Sequence, residues 1–158
     1  MKDGRHEPGG DPDMSLFGAI SVSASGMEAQ RIRAEIITEN LANADTTRTP
    51  GGGPYRRKDA VFSTAPAENS FAGTLAEFSS GGTQGVTVSA IAVDQSDPER
   101  RYLPGHPDAD TDGYVAFPKI NPSEEMVDLM SASRGYEANV AAISTVKDMI
   151  GRSLELFK

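Results

Sequence analysis

Few residues in this 158-residue chain have the types and spacing to do chemistry, and most of them fall in one stretch, GHPDADTDG, at positions 105–113. His106, Asp108, Asp110 and Asp112 alternate there. The pattern Asp108-x-Asp110-x-Asp112-Gly113 matches the first half of a calcium-binding loop, in which oxygens at alternate positions turn inward and a glycine makes the sharp bend. The second half does not follow. The twelfth position, which must supply a bidentate glutamate, is Lys119, and Pro118 and the strand-like residues 114–117 stand where the exiting helix should begin. The loop therefore reads as a set of Asx turns, in which Asp carboxylates take nearby backbone N–H groups. No metal and no cofactor is expected.

The remaining candidates are weaker still. The two histidines are His6, in a polar N-terminal stretch, and His106; there is no cysteine. A Ser/His/Asp site would need His106 as its base, with no particular serine singled out to go with it. The glycines of Gly51-Gly52-Gly53 do not sit in a GxxxxGK[ST] pattern or between a strand and a helix, so they read as a mobile loop rather than a phosphate cradle. Arg56-Arg57-Lys58 is a short basic run, read as a solvated face or as a contact for an acidic patch on a partner protein. Nucleic acid is not expected as a ligand, because the whole chain carries a formal charge of -8 and phosphate backbones select basic surfaces. Glu124 and Glu125 point to different sides of a helix and are explained by its dipole. None of this suggests an enzyme.

The elements that would have to position such groups are more informative. Residues 121–158 place Met126, Leu129, Ser133, Tyr136, Val140, Ile143, Lys147, Ile150, Leu154 and Phe157 at alternating steps of three and four, a heptad seam apolar at all but two positions. Asn121 suits the N-cap, Pro122 the first helical position and Glu124 a capping box. Such a helix is about 54 Å long at about 1.5 Å per residue, too long for a small domain to cover. A second helix, residues 15–44, spaces Phe17, Ile20, Ala24, Met27, Ala34, Ile37, Leu41 and Ala44 along one face. Gly18, Gly26, Gly135 and Gly151 weaken both helices, and together with the alanines they fit close approach between neighbouring helices.

The middle of the chain changes period. Val61-Phe62 is a short apolar step, 68–84 is small and loop-like, 85–94 reads as a β-branched strand, a short strand is plausible at 101–103, and Tyr114 to Phe117 forms a last strand stopped by Pro118. The fold class is α+β: two long terminal helices forming a coiled-coil-like pair or bundle, with a small β-rich domain inserted. The expected divisions are a disordered extension at 1–13, with Met14 a candidate true start; an N-terminal assembly helix at 14–46; a Gly/Pro-rich loop at 47–59; the β-rich outer domain at 60–118; and a C-terminal assembly helix at 119–158. No run of about 18 apolar residues is present to insert in a membrane, and no cleavable signal is recognised.

The two terminal segments carry a specific resemblance. Asn40-Leu41-Ala42-Asn43-Ala44-Asp45-Thr46 and Pro54-Tyr55-Arg56-Arg57 occur in the N-terminal part. Pro104 to Asp110, Gly113-Tyr114-Val115, Asn121-Pro122, Glu125 to Met130 and Ser133 to Val140 follow in order. In these stretches the chain resembles the rod proteins of the bacterial flagellar basal body, members of the flagellar axial family found in the proximal rod. The resemblance implies a non-enzymatic structural subunit serving torque transmission and motility. It implies passage through the flagellar type III export apparatus without a cleaved signal, and residence in the rod crossing the periplasm. Its partners would be other rod proteins and copies of itself, joined through the terminal helices into an inner tube, with the inserted domain facing outward and the 43–58 loop adding contacts. The expected assembly positions are Ile20, Met27, Ile37, Leu41, Asn43, Met126, Leu129, Tyr136, Val140, Ile143, Ile150 and Leu154. The helix ends are expected to be frayed in the free monomer and ordered on assembly. Two other readings compete: a soluble helical-hairpin binding module with a ligand or metal loop at 104–113, and a metal-dependent hydrolase using Asp108 or Asp110.

Overall fold

The computed structural model describes residues 16–64 and 84–155; the expectations for 1–13, Met14, most of 68–84, Phe157 and the side chain of Phe17 lie outside the described residues. The elements run α1 (Leu16–Ala42), β1 (Lys58–Thr64), β2 (Val86–Val93), β3 (Glu99–Tyr102), β4 (Tyr114–Phe117) and α2 (Pro122–Glu155). This is the α+β arrangement of two terminal helices with a β region between them.

Helix α2 begins as its sequence requires. The Oδ1 of Asn121 accepts from the Ser123 N–H at 3.1 Å, and its carbonyl takes the Glu125 N–H at 3.1 Å, an N-cap satisfying donors that the first turn leaves without partners. Glu124 reaches back, but to the Asn121 side-chain amide at 3.1 Å rather than to the backbone N–H of a standard capping box. Helix α1 ends at Ala42, and the next residue, Asn43, has its N–H 3.1 Å from the Glu39 carbonyl and its side-chain amide donating to the same oxygen at 2.9 Å.

The helices pair antiparallel. Asn40 near the end of α1 meets Glu125 near the start of α2, Arg33 faces Asp128, Gln30 packs on Gly135, and Gly26 faces Asn139. Two glycines make the close approach. A Cβ at Gly26 would stand 2.9 Å from the Asn139 Oδ1, and one at Gly135 would stand 3.1 Å from the Gln30 Cδ. Ala132, 1 % exposed, is the small residue buried at the same crossing.

The strands form two separate antiparallel hairpins rather than one sheet. In the first, β1 pairs with β2 from Lys58 opposite Val93 to Thr64 opposite Val86, with a bulge between Val61 and Phe62; the step read as two apolar residues is a seven-residue strand. It lies against α1, where the Val86 N–H donates to the Ser25 hydroxyl at 3.1 Å. In the second, β3 pairs with β4 from Glu99 opposite Phe117 to Tyr102 opposite Tyr114. Its β4 strand alternates, with Val115 and Phe117 buried, as a half-covered strand should. Arg101 lies over the Phe117 ring, its guanidinium carbon 4.7 Å from the ring centre.

Among the described residues the buried apolar side chains are few: Ala29, Ile36, Ile37, Tyr55, Val115, Phe117 and Ala132. Two of the largest fully buried side chains are polar, Glu125 and Asn40. A buried carboxylate is costly unless paired and hydrogen-bonded, so its partners decide how the chain is held together.

Candidate functional site

The junction of α1, α2 and the 43–57 loop is built on Asn40. Its side chain is fully buried and fills every hydrogen-bonding position it has. The Oδ1 accepts from the Lys58 N–H at 2.9 Å and from the Tyr55 hydroxyl at 3.1 Å; the Nδ2 donates to the Lys58 carbonyl at 2.8 Å and to the Glu125 Oε2 at 3.2 Å. Glu125 Oε1 in turn accepts from the Arg57 Nε at 2.6 Å. Around this pair lie Asp128 and Asp59, each within 3.6 Å of an Arg57 nitrogen, and Arg33 on Asp128. Burial opposes the charge on Arg57, but the hydrogen bond and charge of Glu125, with Asp59 behind it, outweigh burial and hold its pKa above the ordinary value. Burial first, then the charge of Glu39, pushes the Tyr55 hydroxyl up to about 12.

Two readings of the sequence change here. Arg57 is not a solvated face, because its acidic partner is the buried Glu125, whereas Lys58 pairs with Glu39 at the surface. Arg56 donates to the carbonyls of Asp94 and Ser96. Glu125 does more than complement a dipole, since it bridges three segments.

The loop at 105–113 is likewise used inside the chain. Asp110 Oδ1 accepts the N–H groups of Asp112 and Tyr114 at 2.9 and 2.8 Å. Asp108 accepts the Thr47 hydroxyl at 2.8 Å and pairs with Arg48 at 3.6 Å. Among the described residues no three metal-ligating side chains come together. The glycine run makes a turn: Gly52 and Gly53 have φ of 84° and 75°, a left-handed conformation that favours glycine, and the Thr49 N–H reaches the Gly53 carbonyl at 2.9 Å.

The positions singled out for assembly divide into two sets. Ile37 is buried, and Ile20, Met27, Leu41, Asn43, Leu129, Ile143 and Ile150 are half-buried. Met126, Tyr136, Val140 and Leu154 are exposed, and Val127, Met130 and Met149 lie exposed on α2 as well. The face of α2 turned inward runs through Glu125, Leu129, Ala132, Gly135, Asn139, Ile143, Val146 and Ile150, a stripe rotated from the apolar seam. Its spacing is helical, but Glu125, Gly135 and Asn139 hide it from a reading of apolar residues alone. The exposed face of α1, by contrast, carries Arg31 between Glu28 and Glu35 in a run of surface ion pairs.

The described residues thus form a helix pair sharing one polar hub, with β hairpins inserted and several large apolar side chains exposed on the C-terminal helix. The comparisons identify the class. The family model described as flagella basal body rod protein matches residues 20–48, and that described as flagellar basal body rod FlgEFG protein C-terminal matches residues 111–156. Over 92% of its length the chain is 41% identical to the flagellar basal-body rod protein FlgC of Borreliella burgdorferi and 43% identical to that of Bacillus subtilis, covering 99% and 100% of those proteins. It is 37% identical over 90% of its length to FlgC of Salmonella typhimurium, covering 98% of it. The chain belongs to the FlgC family of flagellar basal-body rod proteins. It is a structural component of the basal-body rod, assembled with other rod components for motility, in a family not known as enzymes.

Proposed function

We propose that this chain polymerises in the rod chiefly through the outer face of α2, with α1 as the internal strut that holds α2 in place. The observation that carries this is the row of exposed side chains Met126, Val127, Met130, Tyr136, Val140 and Leu154 on one long helix. Large apolar side chains exposed in this number on one helix support an interaction surface there. Neighbouring copies and other rod subunits supply the apolar helix faces that cover it. The half-buried positions, Leu129, Ile143 and Ile150 with Ile20, Met27 and Leu41, hold the helix pair from within and set the direction of the outer row.

In this reading 119–158 is the helix that joins subunits, 14–46 is the helix that supports it, and 60–118 is the outward domain. The protein catalyses no reaction and takes no cofactor. It leaves the cell through the flagellar type III export apparatus without a cleaved signal and lies in the rod across the periplasm. Among the described residues no helix is long and apolar enough to cross a membrane, which fits a subunit held by protein contacts.

Sedimentation of the purified chain together with its neighbouring rod subunits, over a wide concentration range, tests the proposal. The native chain is expected to enter large assemblies, and Met130→Glu/Val140→Glu to remain outside them while keeping its helical circular dichroism. Assembly of the double variant at the native concentration would overturn the role given to this face.

A further inference from the structure

Three segments far apart in sequence converge on one buried cluster: Asn40 on α1, Tyr55 to Lys58 at the loop end and start of β1, and Glu125 on α2. Among the described residues Glu125 hydrogen-bonds to α1 through the Asn40 amide and to the β1 entry through Arg57, and the same Asn40 holds both the N–H and the carbonyl of Lys58. Without Arg57, the Glu125 carboxylate at 1 % exposure would be a buried, unpaired charge, which proteins do not tolerate at this depth. Docking of α2 on α1 before the loop arrives would therefore strand a charge, and seating of the loop without α2 would leave Arg57 with Asp59 alone and the Asn40 amide short of one acceptor.

We infer that the Asn40–Glu125–Arg57 cluster is a latch that makes two events one: the docking of α2 against α1 and the seating of the β1–β2 hairpin on the other side of α1. Apolar packing alone does not explain such coupling. Helix α1 touches α2 on one side and β1 and β2 on another, and the hairpin and α2 share no extensive contact of their own among the described residues. The latch, with the longer Arg57–Asp128 pair beside it, is the polar link between them among the described residues. Its consequence is that the outer face of α2 is presented only when the inserted region is in place. The inference concerns the fold of the subunit itself and stands whether or not that outer face is the assembly surface.

Amide hydrogen exchange on the full chain tests it, using Ile143→Val as a mild perturbation confined to α2 and Glu125→Gln to open the latch. With the latch intact, Ile143→Val is expected to speed exchange in α2 and in the β1–β2 ladder by the same factor, between about twofold and tenfold. In the Glu125→Gln background the same change is expected to speed exchange in α2 and leave the ladder unchanged. Equal acceleration of both regions in both backgrounds would assign the coupling to packing and overturn the latch, as would acceleration of α2 alone in the native background. Should Glu125→Gln fail to fold, Tyr55→Phe, which removes one hydrogen bond at the edge of the cluster, is expected to give the same uncoupling in part; full coupling there would overturn the inference.

Discussion

The two terminal helices differ in what they leave uncovered. Helix α1 is enclosed by α2 on one side and the β1–β2 hairpin on another, and its open stripe carries the Glu28–Arg31–Glu35 ion pairs. Helix α2 touches α1 along one stripe, and the side chains it leaves exposed include Met126, Val127, Met130, Tyr136, Val140, Met149 and Leu154 among polar neighbours. Charged residues on an open stripe are at home in water, whereas a row of large apolar side chains is not. On the proposed assembly role, the difference teaches that α1 is satisfied largely within the chain and that α2 is completed by something outside it. The same proposal separates two kinds of residue in one helix: those that hold α2 to its own subunit and those assigned to joining it to others.

The largest expected effect falls on the holding side. Glu125→Ala removes the acceptor of a buried cluster and is expected to cost about 3 kcal/mol of stability in urea unfolding. The lower part of the usual range applies because Arg57, 29% exposed, regains some water. A loss under about 1 kcal/mol would show that the hub is not what joins the helices.

Ala132→Leu forces three extra carbons into the crossing of α1 and α2, where Ala132 is 1 % exposed. Overpacking there is expected to cost about 2 kcal/mol, whereas Ala141→Leu, on the exposed side of the same helix, is expected to be nearly neutral. Equal effects at the two sites would erase the distinction between inner and outer faces.

A smaller effect concerns pH. The Tyr55 hydroxyl is held at about 12 in the folded chain against an ordinary 10.0. A raised pKa for a group that is neutral when protonated gives stability that is fully present below pH 10 and is lost as pH rises toward 12. Thermal melting across that window is expected to fall more steeply for the native chain than for Tyr55→Phe. Parallel curves would remove Tyr55 from the hub's account.

How much of this could be read along the chain depended on the range of the interactions. The start of α2 is local, so Asn121, Pro122 and Glu124 announced it, and Tyr114 to Phe117 was plain because a turn, four strand residues and a proline are contiguous. Helix α1 was harder: enclosed on two sides, it buries Ala29 and Ile36 off the expected face, and a single period does not describe it. The hub was not legible. Its bonds span 68 and 85 residues, and no spacing rule connects Arg57 to Glu125 or Asn40 to either. The signal that was available lay in the resemblance, which set Asn40, Tyr55 to Arg57 and Glu125 inside its matching stretches without saying that they meet. Among the described residues the β region came out as two hairpins because β3 and β4 pair with each other and not with β1 or β2, a choice of partner that strand propensity cannot make.

The measurement that tests the account most directly is motility of a flagellated bacterium whose own copy is replaced by variants of this chain. Met130→Glu/Val140→Glu, on the outer face of α2, is expected to abolish swimming while the protein is made and folded at normal levels. Arg31→Ala, on the open stripe of α1, is expected to leave swimming unchanged, since exposed ion pairs contribute little. Normal swimming with the α2 variant, or loss of swimming with the α1 variant alone, would contradict the assignment of the assembly surface to α2.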